Sequence, residues 1–346
     1  MDDVRVSVIV PAYNIAAYLP RCVSSLQDQA LPDMEILLVD DGSTDDTGAF
    51  CDRIATEDPR IRVIHRGNGG LAAARNTGLA AARGAYVCFI DGDDTLEPGI
   101  LGALWPIAEE KEPDVIRFGY LEVPPKGDPR PWVLPYEQGL YTQNALRRLL
   151  LDAVSYPHVL DYGTPRVLSA CTNLFRRAFL ERWELRFRSE REILNEDYLF
   201  MVQVMYRAES VYMLPTPAYH YITREGSLSR GVRPNMMGRK KALWNAYREI
   251  LPGDDPEVEE RLRNFYIDCV YDCFVDACTH GKDPGETVSA IGALLRDEFL
   301  QHCLRENRHL AVSPKTRCIV FLMRHKLAGG MCRLYRLTKS IQKAGK

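Results

Sequence analysis

The chain has 346 residues, 46% of them hydrophobic and 26% charged, an ordinary globular usage that excludes a disordered, collagen-like or membrane-embedded chain. The longest apolar runs, such as Cys318 to Met323, hold about six residues against the roughly 20 that a membrane-crossing helix needs. The net charge of −3 hides an asymmetry: residues 313–346 hold nine Lys/Arg and no Asp/Glu, so residues 1–312 carry −12.

The length suits one large domain or two. The opening MDDVRVSVIVPAYN has no cationic n-region and no small-residue cleavage site, so a cytoplasmic location is expected. The ten cysteines form no C-x-x-C pair and sit mostly among apolar neighbours, which reads as reduced, buried thiols. Cys269, Cys273 and Cys278 have near-helical spacing and fit buried helix positions better than a metal cluster.

Short apolar runs at 6–10, 35–39, 61–64 and 86–90 have the continuous character of parallel strands buried on both faces. Helical patterns lie between them. Leu19, Cys22, Val23 and Leu26 form one stripe, Phe50, Cys51 and Ile54 follow the capping residues Ser43 and Thr44, and 71–83 is alanine-rich. This β-α alternation predicts an α/β fold with a mostly parallel central sheet flanked by helices, and right-handed crossovers put the strand C-termini on one rim. Ligands of such sheets bind at that rim. Further on, a strand is expected at 115–120, an exposed Pro-rich connection at 124–132, helices at 142–151, 176–183 and 197–208, and strands at 210–214 and 218–222. Helices follow at 235–250, 256–280 and 284–304. A boundary near 230 separates a region 1–230 from a helical C-terminal region 231–346.

The polar motifs fall where the strands end. Pro11-Ala12-Tyr13-Asn14 follows the first strand, Asp40-Asp41-Gly42-Ser43-Thr44-Asp45 the second, and Asp91-Gly92-Asp93-Asp94 the fourth. Three carboxylates within four residues repel one another unless a cation offsets them or their pKa values rise. Oxygen-only ligands suit Mg²⁺ or Mn²⁺, held by one or two carboxylates and substrate phosphates. An EF-hand loop fails on spacing, because its sixth position would be Leu96. The D-G-S-T-D segment is a good turn and helix cap. Its two leading carboxylates remain to be explained: an Asp there can accept the ring N–H of a uracil, while Tyr13 offers an aromatic face. No G-x-G-x-x-G follows the first strand, which disfavours a dinucleotide.

Together VSVIVPAYN, VDDGSTDDT, the N-x-G-L-A-A-A-R-N-x-G pattern from Asn68 to Gly78, and FIDGDD resemble the nucleotide-sugar-binding half of family 2 glycosyltransferases with the GT-A fold. The likeness is close over about residues 4–125. It implies that Pro11, Ala12, Tyr13 and Asn14 line a nucleoside pocket, that Asp41 binds the base with Asp40 nearby, and that Arg75 contacts the donor's nucleotide. Asp91, Gly92 and Asp93 match the D-x-D motif, with Asp93 the direct metal ligand and Asp91 beside it. The later segment Asn195 to Phe200 matches the family's catalytic-base pattern, with Asp197 as base and Glu196 in support. As a local feature, the same residues would cap the helix that follows. A positioned base matters because the acceptor hydroxyl must lose its proton as the new bond forms, a contribution on the order of 10²–10⁴-fold.

Residues 219–230 resemble the Y-x-Y-x-x-R-x-x-S-x-S segment of the exopolysaccharide and capsule branch. His220 reads equally as a satisfied strand histidine or as a second metal ligand, and Arg224 and Ser227 as phosphate contacts on a closing loop. With no second carboxylate placed as proton donor to the leaving group, transfer fits better than hydrolysis, and the resemblance implies inversion. The expected function is transfer of a sugar from a nucleotide-sugar donor, UDP-linked, to a glycan or lipid-linked acceptor in surface polysaccharide synthesis, with Mn²⁺ or Mg²⁺ as cofactor. A sugar nucleotidyltransferase, and a non-catalytic nucleotide-sugar sensor or assembly subunit, are the alternatives; the Glu196-Asp197 pair argues against the sensor. The basic segment 313–346 suits either a helix lying on an anionic membrane at the inner face of the cell membrane or a solvated helix packed on its own domain. The acidic body argues against nucleic acid.

Overall fold

The computed structural model describes residues 4–155, 160, 168–223, 235–306 and 313–344, the side chains of 339–344 excepted. The strands are β1 (Val6–Ala12), β2 (Met34–Asp40), β3 (Ile61–His65), β4 (Tyr86–Phe89), β5 (Thr95–Leu96), β6 (Val115–Val123), β7 (Arg130–Trp132), β8 (Gly139–Thr142), β9 (Asn173–Arg176) and β10 (Ser210–Ile222). Helices α1 (Leu19–Gln27), α2 (Thr47–Glu57), α3 (Leu71–Ala81), α4 (Ile100–Lys111), α5 (Asn144–Val154), α6 (Arg177–Arg182) and α7 (Glu196–Arg207) accompany them. The later helices are α8 (Met236–Ile250), α9 (Pro256–His280), α10 (Pro284–Leu295), α11 (Glu298–Glu306), α12 (Pro314–Arg324) and α13 (Ala328–Ala344). None is long and apolar enough to cross a membrane. The chain divides into two compact units, Met1–Leu150 with Thr164–Ser229, and Leu151–Gly163 with Arg230–Lys346.

The first unit is built on one sheet in the order β3-β2-β1-β4-β9-β6-β10-β5, with β7 on β6 and β8 on β10. β1, β2 and β4 are buried at every position, as strands covered on both faces must be. β1 pairs in parallel with β2 and β4, β2 with β3, and β6 with β10. Between β3 and β10 the sense is interrupted at β9, antiparallel to both β4 and β6, while β5 and β8 on β10 and β7 on β6 add antiparallel pairs at the periphery. Two reversals restore the direction, so β1, β2, β4, β6 and β10 all end on the same edge. The mostly parallel sheet expected from the sequence is therefore present in mixed form.

The differences from the sequence reading have local causes. β10 is one strand rather than two: Pro215 and Pro217 look like a break, but register shifts beside β6 between Leu214 and Tyr219 absorb them, as bulges do for residues that cannot donate. The connection at 124–132 is not wholly loop, since Arg130–Trp132 pairs with β6. β9 precedes the helix expected at 176–183; its four residues are too few to show a period. Asp114 stitches this half together. Its buried carboxylate accepts the Arg176 guanidinium and the backbone N–H groups of Glu209 and Ser210, at 2.7 and 3.2 Å.

In the second unit α9 packs against α8, α10, α11 and α13. Three of its helices start with an acceptor followed by Pro: Asp255 caps α9, Asp283 caps α10 and Ser313 caps α12, the favoured N-terminal chemistry. The single helix expected over 284–304 is broken at Asp297, whose carboxylate accepts Leu300 N–H at 2.8 Å and Lys241 Nζ at 2.7 Å. Residues 151–163, read with the first region, group with this unit, where Arg261 bonds Asp152 and the Ser155 carbonyl. The basic tail is not a free amphipathic helix. Ile319, Val320, Met323, Met331 and Cys332 are buried in this unit's core, so its main apolar stripe is already used, while Phe321, Leu327 and Leu337 remain exposed.

α3 packs on β1 and β2 at a distance only a glycine permits: a Cβ on Gly78 would lie 2.3 Å from Ile9 Cγ2 and 3.2 Å from Val39 Cγ2. Both neighbours are β-branched and stiff. Helix propensity alone would make Gly78→Ala stabilising by about 1 kcal/mol, whereas overpacking costs about 1–3 kcal/mol. The expected outcome is net destabilisation by about 1–2 kcal/mol in urea unfolding; a gain in stability would show that α3 is not seated this closely.

Candidate active site

The loops after β1 and β2 hold each other. Asn14, at a left-handed φ of 52°, accepts Thr44 N–H on its side-chain oxygen at 2.8 Å and donates its own backbone N–H to Ser43 Oγ at 3.1 Å. Thr47 Oγ1 accepts Ile15 N–H at 2.9 Å, and Asp45 accepts Ala16 N–H at 3.2 Å. Pro11 and Ala12 are buried at the strand end, and Tyr13 stands 47% exposed beyond them. Gly42, at φ 75°, leaves no room for a side chain, since a Cβ would sit 2.9 Å from Asn68 N.

Asp40 and Asp41 are both buried and separately employed. Asp40 accepts Ser43 N–H at 3.0 Å and lies 2.9 Å from His65 Nδ1. Burial pushes its carboxyl up, but the bonds from Ser43 and His65 outweigh it and hold the carboxyl below its usual range. The other ring nitrogen of His65 is 2.9 Å from Asp52, and hydrogen bonds to Asp52 and Asp40 raise the imidazole above its ordinary value. Asp41 accepts the Arg66 guanidinium and the N–H groups of Gly69 and Gly70, at 3.0 and 2.7 Å. His65 and Arg66 were not singled out from the sequence; the cue was a basic pair at the end of the third strand, on the same rim.

The Asp91–Asp94 turn sits against the first loop, where a Cβ on Gly92 would be 2.4 Å from Ile15 Cδ1 and 3.2 Å from the Pro11 carbonyl. Arg21 donates to the Asp93 carbonyl at 3.0 Å. Asp94 is buried, accepts the Tyr219 hydroxyl and Ile222 N–H, and is pushed up to about 8 by burial and by Asp91. Among the described residues no three His, Cys, Asp or Glu side chains converge as a metal cage. Asp91 and Asp93 offer instead an oxygen-only pair in a strongly negative turn. That fits Mg²⁺ or Mn²⁺ in the mode where substrate phosphates complete the shell. His220 has its Nε2 2.9 Å from the Glu97 carboxylate and its Nδ1 3.4 Å from Thr95 Oγ1. Arg224 and Ser227 lie outside the described residues.

Arg75 sits at the centre of the acidic residues. Its side chain is 1% exposed, and it bonds Asp197, Asp91 at 2.8 Å and Glu196 at 3.1 Å, with the Phe187 ring 5.2 Å from the guanidinium carbon. Burial would lower its pKa, but Asp197 and Asp91 outweigh this and keep it charged. The guanidinium is thus held by three carboxylates. Asp197 accepts Ala170 N–H on its other oxygen at 3.2 Å, which fixes its plane. Arg75, Asp91, Asp94, Glu196 and Asp197 line one cavity of about 310 Å³. Tyr13, Asn14, Asp40 and Asp41 form the adjoining rim at the ends of β1 and β2.

A family model described as Glycosyl transferase family 2 matches residues 7–183. The chain is 35% identical over 224 residues to the uncharacterised glycosyltransferase EpsJ of Bacillus subtilis, covering 65% of this chain and 62% of that relative, so the match spans under two thirds of its length. It is 26% identical to EpsH of the same organism over 336 residues, 94% of this chain and 93% of EpsH. The fold is shared with S. aureus TarS 1–349, solved in complex with UDP-GlcNAc, at a TM-score of 0.69, 22% identity and coverage of 97% and 92%.

Glu196 begins α7, where a carboxylate complements the helix dipole, yet burial and the adjacent Asp197 push it up to about 7 against the pull of Arg75. A carboxyl raised in the folded state favours folding below its unfolded pKa and loses that contribution as pH rises through the folded value. Glu196→Gln removes this dependence. The Tm of the variant relative to wild type is expected to be more positive at pH 8 than at pH 5 in thermal-shift measurements; a constant difference would exclude the raised carboxyl.

Proposed function

The chain belongs to glycosyl transferase family 2, and on that premise we propose that it moves a sugar from a UDP-linked donor to a glycan or lipid-linked acceptor in surface polysaccharide synthesis, by a metal-assisted inverting displacement. The observation that carries this reading is the meeting of Asp91, Arg75, Glu196 and Asp197 in one cavity, next to the rim formed by the loops after β1 and β2. Tyr13 and Asp41 supply an aromatic face and an acceptor for a base N–H. The UDP form of the donor is supported by the shared fold of TarS, solved with UDP-GlcNAc.

The chemistry follows from the carboxylates. A divalent ion held by Asp91 and Asp93 would supply positive charge where the diphosphate leaving group develops its negative charge. Asp197 removes the acceptor hydroxyl's proton as that oxygen attacks the anomeric carbon. Its two bonds, to Arg75 and Ala170 N–H, hold one carboxylate face in a fixed direction, and each oxygen keeps a second lone pair for the hydroxyl. Glu196, on the same guanidinium, completes the acidic end of the cavity.

With UDP-sugars and Mn²⁺, release of UDP is expected to be acceptor-stimulated. Asp197→Asn should lower it by at least about 10²-fold while leaving UDP binding intact, whereas Asp93→Ala or EDTA should weaken UDP binding as well. Full turnover in either variant, or in EDTA, would remove the assigned roles.

The exposed face of α12 and α13 carries the membrane part of this reading. Phe321 is flanked on its helix by Arg317 and Arg324, and Leu337 by Arg333, a pattern in which apolar groups enter a bilayer surface while cations meet anionic headgroups at roughly 1 kcal/mol each. Vesicles containing phosphatidylglycerol should sediment the full chain, and replacing Phe321, Leu327 and Leu337 by Ser should reduce binding about tenfold or more. Equal binding of the variant, or to neutral phosphatidylcholine, would exclude this face.

A further inference from the structure

The cavity has a second wall that proton transfer and metal binding do not require. Tyr120 at the end of β6, Tyr198 in the first turn of α7, and Tyr219 and Tyr221 at the end of β10 all line it. The sheet explains their meeting: β6 and β10 run parallel with Tyr219 beside Tyr120 and Tyr221 beside Glu122, so both strands deliver aromatic residues to the rim that receives Asp91. Tyr120 is braced, stacked on Trp132 with ring centroids 5.8 Å apart and planes at 7°, and met edge-on by Tyr221 at 6.4 Å and 86°. Trp132 is in turn held by its indole N–H on the Glu122 carboxylate at 3.3 Å. Tyr120, Tyr198 and Tyr221 are half-buried, partly covered by their neighbours and partly open.

The charge of the same cavity restricts what can lie against these rings. Among the described residues, Asp91, Asp94, Glu196 and Asp197 line it with one cation, Arg75, and that guanidinium is already bonded to Asp91, Glu196 and Asp197. A divalent ion arriving with a nucleoside diphosphate balances that diphosphate, so the described lining offers a second anion no cation of its own. An aromatic face attracts the weakly positive C–H face of a sugar ring, and phenol and carboxylate groups can bond its hydroxyls. Aromatic surface with a few placed polar groups is also the usual make-up of a small-molecule site.

We propose that Tyr120, Tyr198 and Tyr221 form the acceptor subsite and that the acceptor's terminal unit is an uncharged pyranose, not a polyol phosphate or a uronic acid. Tyr198 adjoins Asp197 in α7, so a ring seated on this wall brings a hydroxyl to the proposed base. The inference rests on the transferase reading above and adds the acceptor's chemical class.

The test uses the full chain with UDP and Mn²⁺ and measures binding by saturation-transfer NMR and calorimetry. The neutral probes are the methyl β-glycosides of glucose, galactose and N-acetylglucosamine; the anionic probes are glycerol 1-phosphate and methyl β-glucuronide. At least one neutral glycoside should bind, and both anions should bind at least about tenfold more weakly. Tyr120→Ala and Tyr221→Ala should each weaken the neutral glycoside about tenfold or more, Tyr221→Phe by less than threefold, and UDP affinity in all variants should stay within twofold, which also reports a folded protein. Anions binding as well as neutral glycosides, no neutral glycoside binding, or unchanged binding in both Ala variants would overturn the inference. Loss of UDP binding by the wild type would overturn the donor reading separately.

Discussion

A single buried guanidinium organises the site. Arg75 lies inside the first unit at 1% exposure, and removing such a charge from water costs several kcal/mol unless partners and geometry offset it. Its three carboxylates do so, and they come from distant parts of the chain: Asp91 from the turn after β4, Glu196 and Asp197 from the start of α7. The ion pairs therefore do more than stabilise. They fix where α7 begins relative to the end of β4, and with it the spacing between the acidic turn and the proposed base.

That arrangement requires α3 to lie close to the sheet. The helix carries Arg75 on its buried side with Ala72, Ala74 and Gly78, and only small residues let its backbone approach Ile9 and Val39 this closely. Asn76, one residue on, exchanges two hydrogen bonds with the backbone of Phe187 at 2.8 and 2.9 Å, while Glu190 accepts the N–H groups of Leu71 and Ala72 at the helix start. The segment leading into α7 is thus pinned to α3 at both ends, and Phe187 is stacked on Phe200 at 4.0 Å. One short helix supplies both the charge that gathers the carboxylates and the anchor for the loop that delivers two of them.

The sheet contributes direction. Parallel strands place their carboxyl ends on one edge, and the antiparallel β9 between β4 and β6 preserves that sense on both sides. The acidic turn after β4 and the tyrosines that end β6 and β10 consequently share a cavity. Asp91 comes from the turn after β4, Tyr120 and Tyr221 from β6 and β10, and Glu196, Asp197 and Tyr198 from the start of α7, so the proposed chemistry and the proposed acceptor recognition are adjacent for a topological reason. The second unit shows a different economy: α12 and α13 bury one stripe in their own core and, among the described residues, leave Phe321 and Leu337 exposed on them, with Leu327 between.

Local sequence determined a good deal. The first four strands and the acidic turns at strand ends depend on interactions within a few residues, or on burial that sets hydrophobicity directly, and all are legible in order along the chain. The family signature carried the pairing of Asp91 with the Glu196-Asp197 segment into one reading. Tertiary structure alone decided the rest. The three carboxylates around Arg75 are not legible in the sequence, because a charge's partners are set by packing and not by spacing. β9, four residues long, exists because β4 and β6 each leave an edge to be paired, and the prolines of β10 are tolerated because bulges absorb them. The tyrosine wall is invisible in sequence for the same reason: Tyr120, Tyr198 and Tyr221 become neighbours only when the register of β6 on β10 and the ion pairs of Arg75 fix where strand ends and helix start must meet.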